Sequence, residues 1–214
     1  MSPPAQTAAL RRQQNRAEVR RTILDASEAL LAESGYRGFS VRALVDRCGY
    51  SAPTLYHHFG DKPGLLDAVL EERLKDLVAE LERVPSETDL IAQVRRLCLV
   101  FARWGIRNPM HYYLMNQPRE REPLPGSASH RAVELLSKPV TTLSQHGDLS
   151  ESEVALVRQS LWACLHGLIS LPAVRPDEDW SENLLEASLD ALLRGWLPEL
   201  VEAAQTERGG SSGR

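Results

Sequence analysis

The chain has 214 residues, is 43% apolar with 6% aromatic residues, and carries a net charge of −4. That is long enough for a full hydrophobic core, and a composition led by Leu, Ala, Glu and Arg with no alternating β pattern of useful length excludes a sheet protein and predicts an all-α fold. The N-terminus lacks the apolar run and cleavage site of a secretory signal, and the longest apolar stretch, Cys164 to Val174, is too short to span a bilayer, so a cytoplasmic chain with no membrane partner is expected.

In chain order, a first helix is predicted from about Arg16 to Ser34, with Val19, Ile23, Ala26 and Leu30 inward and Gly35 as its stop. Residues 1–15 ahead of it read as a flexible basic arm. Ser40 is an N-cap for a short helix from Val41 to Cys48, whose Leu44, Val45 and Cys48 share one face. Gly49 ends it, because a left-handed residue closes a helix cheaply only without a Cβ. Tyr50 then plugs the turn, Ser51 caps the next helix and Pro53 falls in its first turn, where a missing N–H costs little. That helix, Ala52 to about Phe59, turns Leu55 and Phe59 inward and leaves Thr54, His57 and His58 outward. Two short helices joined this tightly form a helix-turn-helix with a polar reading face.

Asp61 caps a fourth helix in which Leu65, Leu66, Val69, Leu70, Leu74, Leu77, Val78 and Leu81 keep a helical period, long enough to bridge two domains. Gly64 in its first turn reads as a weak spot of about 1 kcal/mol relative to Ala. After a break at Pro85 and Ser86, a fifth helix from Asp89 to Arg107 buries Ile91, Val94, Leu97, Cys98, Phe101 and Trp104, and Asn108-Pro109 ends it. A short aromatic turn of helix, Met110 to Asn116, precedes a proline-rich loop from Pro118 to Ser127 and a helix from Ala128 to Gln145 bent at Pro139. Ser150 with Glu153, and Asp179 with Glu182, read as capping boxes for two further helices, ending at Pro172 and Pro198. These two are apolar over more of their circumference than one neighbour covers, so two such hairpins from two chains are expected to form a four-helix bundle and a homodimer. The domains are thus expected at 16–62 and 63–206, with a disordered tail at 207–214.

Charge sharpens this division. Residues 1–62 hold 9 Lys+Arg against 6 Asp+Glu, while residues 63–214 hold 16 against 23. The positive excess concentrates in Arg11, Arg12, Arg16, Arg20 and Arg21, just ahead of the helix-turn-helix. A basic arm beside such a motif attracts a phosphate backbone, and an acidic remainder repels it from the wrong face. Cys48, Cys98 and Cys164 are odd in number and far apart, which writes neither a disulfide framework nor a zinc site; each is expected as a small buried hydrophobe. No metal, cofactor or catalytic residue is expected, since no G-x-S-x-G, G-x-G-x-x-G, H-E-x-x-H or P-loop pattern occurs.

The run S-V-R-x-L, a GYS turn, PTLYHHF and a Lys at the start of a long helix, together with the helix before them, closely resemble the DNA-binding domain of the TetR family of transcriptional regulators over residues 16–70. Tyr113 to Met115 (YLM) and the W-x-x-x-H-G of Trp162, His166 and Gly167 resemble the WHG domain that some members carry. The resemblance implies an N-terminal three-helix DNA-binding domain joined by a long helix to a larger ligand-binding and dimerisation domain. It also implies a homodimer acting on double-stranded operator DNA, most simply as a repressor released by a small-molecule effector. Carried over position by position, it places Thr54 and Tyr56 at the operator backbone and neighbouring bases, Lys62 at a phosphate and Arg42 at a guanine. The chemistry agrees: a guanidinium fork matches guanine O6 and N7, a threonine methyl suits thymine, and a phenol or ammonium bonds phosphate. Ala52 stands where other members often place a hydrogen-bonding side chain, so that contact is missing. With the caps Ser40 and Ser51, with Pro53, and with His57 and His58, these residues make the expected DNA-binding set. Of the two histidines, His58 is favoured for a backbone contact, being four residues after Thr54; Tyr56 has a second reading, packing under the first helix.

On the sensor side, Phe101, Trp104, His111, Tyr112, Met115, Trp162 and His166 are expected to line an effector cavity, with apolar bodies and a few polar tips. Plain core packing is the competing reading for each, and Trp162 and His166, one helical turn apart, suit a dimer contact or hinge equally well.

Overall fold

The computed structural model describes residues 4–118, 122–146 and 150–196, and every regular element among them is an α-helix. In chain order these are α1 (Pro4–Gly38), α2 (Val41–Cys48), α3 (Ala52–Phe59), α4 (Lys62–Glu82), α5 (Leu90–Arg107), α6 (Pro109–Met115), α7 (Ala128–His146), α8 (Glu151–Val174) and α9 (Leu184–Trp196). The chain divides into two compact units: one from the N-terminus to Arg73 with Tyr113–Gln117, the other from Leu74–Tyr112 and from Pro118 onward. The division falls within α4, not at its start.

In the first unit, α1 starts at Pro4 rather than at about Arg16, so described residues of the expected flexible arm are helical. Its regular geometry fails at Gly35, where φ is 66° and ψ 178°, as the glycine stop requires. The buried stripe is Ile23, Leu24, Ser27 and Leu31, whereas Val19, Ala26 and Leu30 are not fully buried. A serine in that stripe is tolerable because its hydroxyl donates to the Ile23 carbonyl at 2.7 Å, which leaves no polar atom unsatisfied. Phe39, Leu44, Leu55, Phe59, Leu65, Leu66 and Val69 complete this core.

In the second unit α5 packs against α7, α8 and α9, and α8 packs against α7 and α9. Asp89 caps α5 by accepting from Ile91 N and Ala92 N at 3.0 Å each. The buried row Val94, Leu97, Phe101 and Trp104 meets those of α8 (Val157, Leu161, Leu165, Ile169) and α9 (Leu189, Leu193). Gly105 lets the helices approach closely, since a Cβ there would lie 3.0 Å from Ile169 Cγ2 and 2.9 Å from Tyr112 Cδ2. Two ion pairs clasp α5 to α9, Arg95 bidentate on Asp190 and Arg103 on Glu186 at 2.9 Å. Because the partner number falls as the α5 number rises, the two helices run in opposite directions.

The α8 capping box forms in full: the Ser150 side chain accepts from Glu153 N, and the Glu153 carboxylate accepts from Ser150 N at 2.8 Å. α8 continues through Pro172 to Val174, and α7 runs through Pro139. The capping box expected from Asp179 and Glu182 does not start α9, which begins at Leu184 after turns. The Trp180 indole donates to the Arg175 carbonyl at 2.9 Å and ties that segment back toward the end of α8. The expected stop at Pro198 and the tail from 207 to 214 lie outside the described residues. The whole of α8, Glu151–Val174, is long and apolar enough to cross a membrane by length and composition, a test that a core helix also passes. Only 22% of its apolar span is buried by the rest of the chain. Of the cysteines, Cys98 is buried, with its thiol pushed up to about 12 by that burial, while Cys48 and Cys164 are half-buried.

Candidate nucleic-acid interface

The reading unit is built by two caps and one left-handed glycine. Ser40 accepts from Ala43 N at 3.2 Å and starts α2; Gly49, at φ 73°, ends it with its N–H on the Val45 carbonyl. Ser51 accepts from Thr54 N at 3.4 Å and starts α3, with Pro53 in the first turn. Leu44 is the buried residue of α2, and Leu55 and Phe59 those of α3. Everything else on α3 faces partly or wholly outward. Thr54 is half-buried, with its hydroxyl 3.0 Å from that of Ser51; Pro53 and His57 are exposed, and Ala52 is half-buried. Tyr56 is 46% exposed, which removes the reading that packs it under α1.

Arg42 is exposed on α2, and no described carboxylate pairs with it. Its neighbour Arg47 is instead bound to Glu33 of α1 through contacts of 2.6 and 2.7 Å, a scaffold contact. Lys62 has partners within the chain that the sequence did not announce. Its ammonium donates to the Phe39 carbonyl at 2.8 Å and lies 5.7 Å from the Tyr36 ring and 5.5 Å from the Phe39 ring. A cation at a helix N-terminus opposes the helix dipole, and this carbonyl and these ring faces compensate for that. Lys62 is therefore first a clasp between α4 and the α1–α2 loop.

The two histidines differ in exposure. His57 is exposed, whereas His58 is half-buried beside Phe59, with ring centroids 6.1 Å apart. Burial, then Arg16, His57 and Arg20, hold the His58 imidazole below its ordinary pKa. Arg20 of α1 reaches the end of α3, where its guanidinium lies 4.6 Å from the centroid of Phe59. Sequence reasoning saw these arginines only as part of a basic run. The available signal was their four-residue spacing, which aligns them on one side of α1.

Among the expected effector residues, Phe101, Trp104, His111 and Tyr112 are buried in the second unit. Tyr112 is the hub: its ring lies 6.0 Å from Phe101 and 5.7 Å, stacked, from His166, and its hydroxyl is 3.0 Å from His166 Nδ1. Trp104 is 1% exposed, and its indole N–H has no hydrogen-bond acceptor among the described residues. Met115 is half-buried at the end of α6 and is grouped with the first unit. Trp162 is 61% exposed on α8, and His166, one turn further on, is exposed as well but reaches Tyr112.

Comparison with known proteins converges on one class. Residues 23–69 match the family model described as bacterial regulatory proteins, tetR family, and residues 94–195 match the tetracyclin repressor-like C-terminal domain. The HTH-type transcriptional repressor AcnR of Corynebacterium diphtheriae is 36% identical over 80 residues, covering 36% of this chain and 42% of that protein. The match thus spans about two fifths of the relative's length. A solved protein of unknown function from Rhodococcus sp. RHA1 is 26% identical, with a TM-score of 0.65 over 83% of this chain and 94% of that one. The TetR family regulator PfmR of Thermus thermophilus is 28% identical, with a TM-score of 0.57 over 80% and 97%.

Proposed function

The chain belongs to the TetR family of bacterial regulatory proteins, DNA-binding transcriptional regulators, and from that premise we propose that it is a cytoplasmic, ligand-responsive repressor that binds a pseudo-palindromic operator as a homodimer. The observation that carries the reading is the outward row of α2 and α3, where Arg42, Tyr56 and His57 stand exposed on a frame fixed by caps at Ser40 and Ser51. Two copies insert α3 into successive major grooves, Arg42 reads a guanine, and Thr54, Tyr56, His57 and His58 meet phosphates and neighbouring bases. Repression is supported by the repressor name of AcnR and follows from occupancy of the site.

Dimerisation is supported by α8 and α9. α8 leaves Leu156, Trp162, Leu171 and Val174 exposed, and α9 presents Ala187, Ala191 and Gly195 outward at four-residue spacing. Bulky groups on one helix and small ones on the other suit a four-helix bundle with a second copy. The effector reading is supported by the buried Trp104 N–H, whose lack of an acceptor costs about 1–3 kcal/mol that a bound acceptor atom recovers. Tyr112 and His166 supply polar tips in the same unit. A ligand there biases α5 and α8, and α4, which carries residues of both units, transmits the shift to the reading heads.

Selection of duplexes from a random pool by the full chain, followed by footprinting, tests this. Two inverted half-sites about one helical turn apart are expected, and Arg42→Ala relaxes preference at one base pair per half-site. A small-molecule screen on the selected duplex then seeks release that Trp104→Phe abolishes. Enrichment of no duplex over random competitor at moderate ionic strength overturns the reading.

A further inference from the structure

We propose that the N-terminal part of α1 is a second DNA-contacting element, in which Arg12, Arg16 and Arg20 form a phosphate clamp on the duplex flanking the base pairs read by α3. The proposal rests on the DNA-binding reading above and extends the interface to residues that precede the family match, which begins at residue 23. α1 is helical from Pro4, so these three arginines, each four residues from the next, fall on one stripe. Successive members are rotated by about 40° and rise about 6 Å, which gives a basic strip about 12 Å long.

Three observations tie this strip to a polyanion. First, it is anchored at the recognition helix: Arg20 lies over Phe59, the last residue of α3, and Arg16 and Arg20 are near enough to His58 to disfavour its protonation. The strip therefore continues an interface already defined. Second, it is not neutralised. Among the described residues no carboxylate pairs with Arg12, Arg16 or Arg20, whereas Arg21 on another side of the same helix does pair with Asp25 at 3.9 Å. Glu18 lies on the opposite side of α1 from Arg16 and Arg20. Third, like charges four apart destabilise a helix, and this ladder has no acid three or four residues away to relieve it. The Arg12 Nε donates only to the Ala8 carbonyl one turn back. A duplex, with a phosphate about every 3.4 Å along each strand, supplies the missing anions along the length of the strip.

The test uses the duplex that the full chain enriches from a random pool, in a long form with flanks and in a form trimmed to the α3 half-sites. Affinity is measured between about 50 and 200 mM salt for the parent, R12A/R16A and R12K/R16K. Each phosphate contact contributes about 0.9 to the slope of log affinity on log salt, so R12A/R16A is expected to flatten the slope on the long duplex by about 1.8 per chain. It should bind the long duplex as the parent binds the trimmed one, and R12K/R16K should keep most of the parent slope. Circular dichroism checks that α1 stays helical, which alanine favours. A double-alanine variant with the parent's slope on the long duplex overturns the clamp, as does a loss of affinity with no change in slope, which marks a structural role only. A parent chain that enriches no duplex overturns the DNA-binding reading itself, and the clamp with it.

Discussion

Gly64 shows how a single residue reverses a propensity argument. By propensity alone, Ala in the first turn of α4 is better than Gly by about 1 kcal/mol. In the fold, a Cβ at Gly64 would sit 2.3 Å from the Phe59 carbonyl oxygen and 3.0 Å from Asp61 Oδ1, and a backbone oxygen cannot swing aside. The same Asp61 oxygen accepts from Gly64 N at 2.7 Å and caps the helix. Gly64→Ala is therefore expected to destabilise by about 2 kcal/mol through overpacking, and to lower Tm by several degrees in a thermal melt. An unchanged or raised Tm would refute the close approach. His58 carries a second residue-scale expectation. Burial, Arg16, His57 and Arg20 lower its pKa, so in the free protein it favours the neutral form, and its contribution to stability is present above the ordinary value near 6.5 and lost as pH falls through the lowered one. A nearby phosphate opposes that shift, so DNA binding takes up a proton there. Operator affinity should rise several-fold between about pH 7.5 and pH 6, and His58→Gln should flatten the profile; equal profiles for the two proteins would remove His58 from the interface.

At the scale of the element, legibility followed locality. α2, α3, α5 and the start of α8 were readable because Ser40, Ser51, Asp89 and Ser150 cap with their own side chains, and Gly49 closes a helix by its own φ. The start of α9 was not, because Asp179 and Glu182 imitate a capping box while the Trp180 tether and the turns through Ser181 hold the chain out of the helix. The stripe of α1 was misread because Ser27 is buried and polar, its bond to Ile23 O being invisible to a hydrophobic pattern. Nor does any local signal announce Arg95 on Asp190, which lie 95 residues apart. That clasp is testable. The Arg95 hydrogen bonds hold the Asp190 carboxyl below the usual range, so its contribution is present above the unfolded value of about 3.9 and lost as pH falls through the lowered one. Asp190→Asn is expected to cost about 1 kcal/mol in urea melts at pH 7, a modest figure because both side chains are about a third exposed. The gap between parent and variant should close as the pH is lowered below about 4. A gap that persists unchanged at low pH would mean the carboxylate charge is not what holds α9 to α5.

For the whole molecule, the decisive surface is one that a single chain leaves uncovered. The frame of the helix-turn-helix was legible down to its caps and its buried Leu44, Leu55 and Phe59, because its signals lie within a short run of residues, whereas the bond of Lys62 to the Phe39 carbonyl was not. The contacts of the aromatic residues were legible only in part: Phe101, Tyr112 and His166 meet through elements far apart in sequence, and the exposure of Trp162 carries no local signal. Trp162 belongs to another argument. A tryptophan 61% exposed on an apolar helix that is mostly unburied marks a partner surface, and it can be changed without opening the core. Trp162→Glu should leave the fold of each chain intact, since exposed substitutions stay near ±0.5 kcal/mol, and lower Tm only by what pairing adds. It should also place a carboxylate in the centre of the α8 face of the proposed bundle, where pairing would bury its charge. Sedimentation at micromolar concentration should then show a monomer where the parent is a dimer. Each reading head would lose its tethered twin, and because linkage multiplies affinity by about 100-fold or more, operator binding should weaken by at least that factor while one half-site is still recognised. A variant that stays dimeric would move the interface off α8. A monomer that binds the full operator as tightly as the parent would instead break the link between symmetry and recognition.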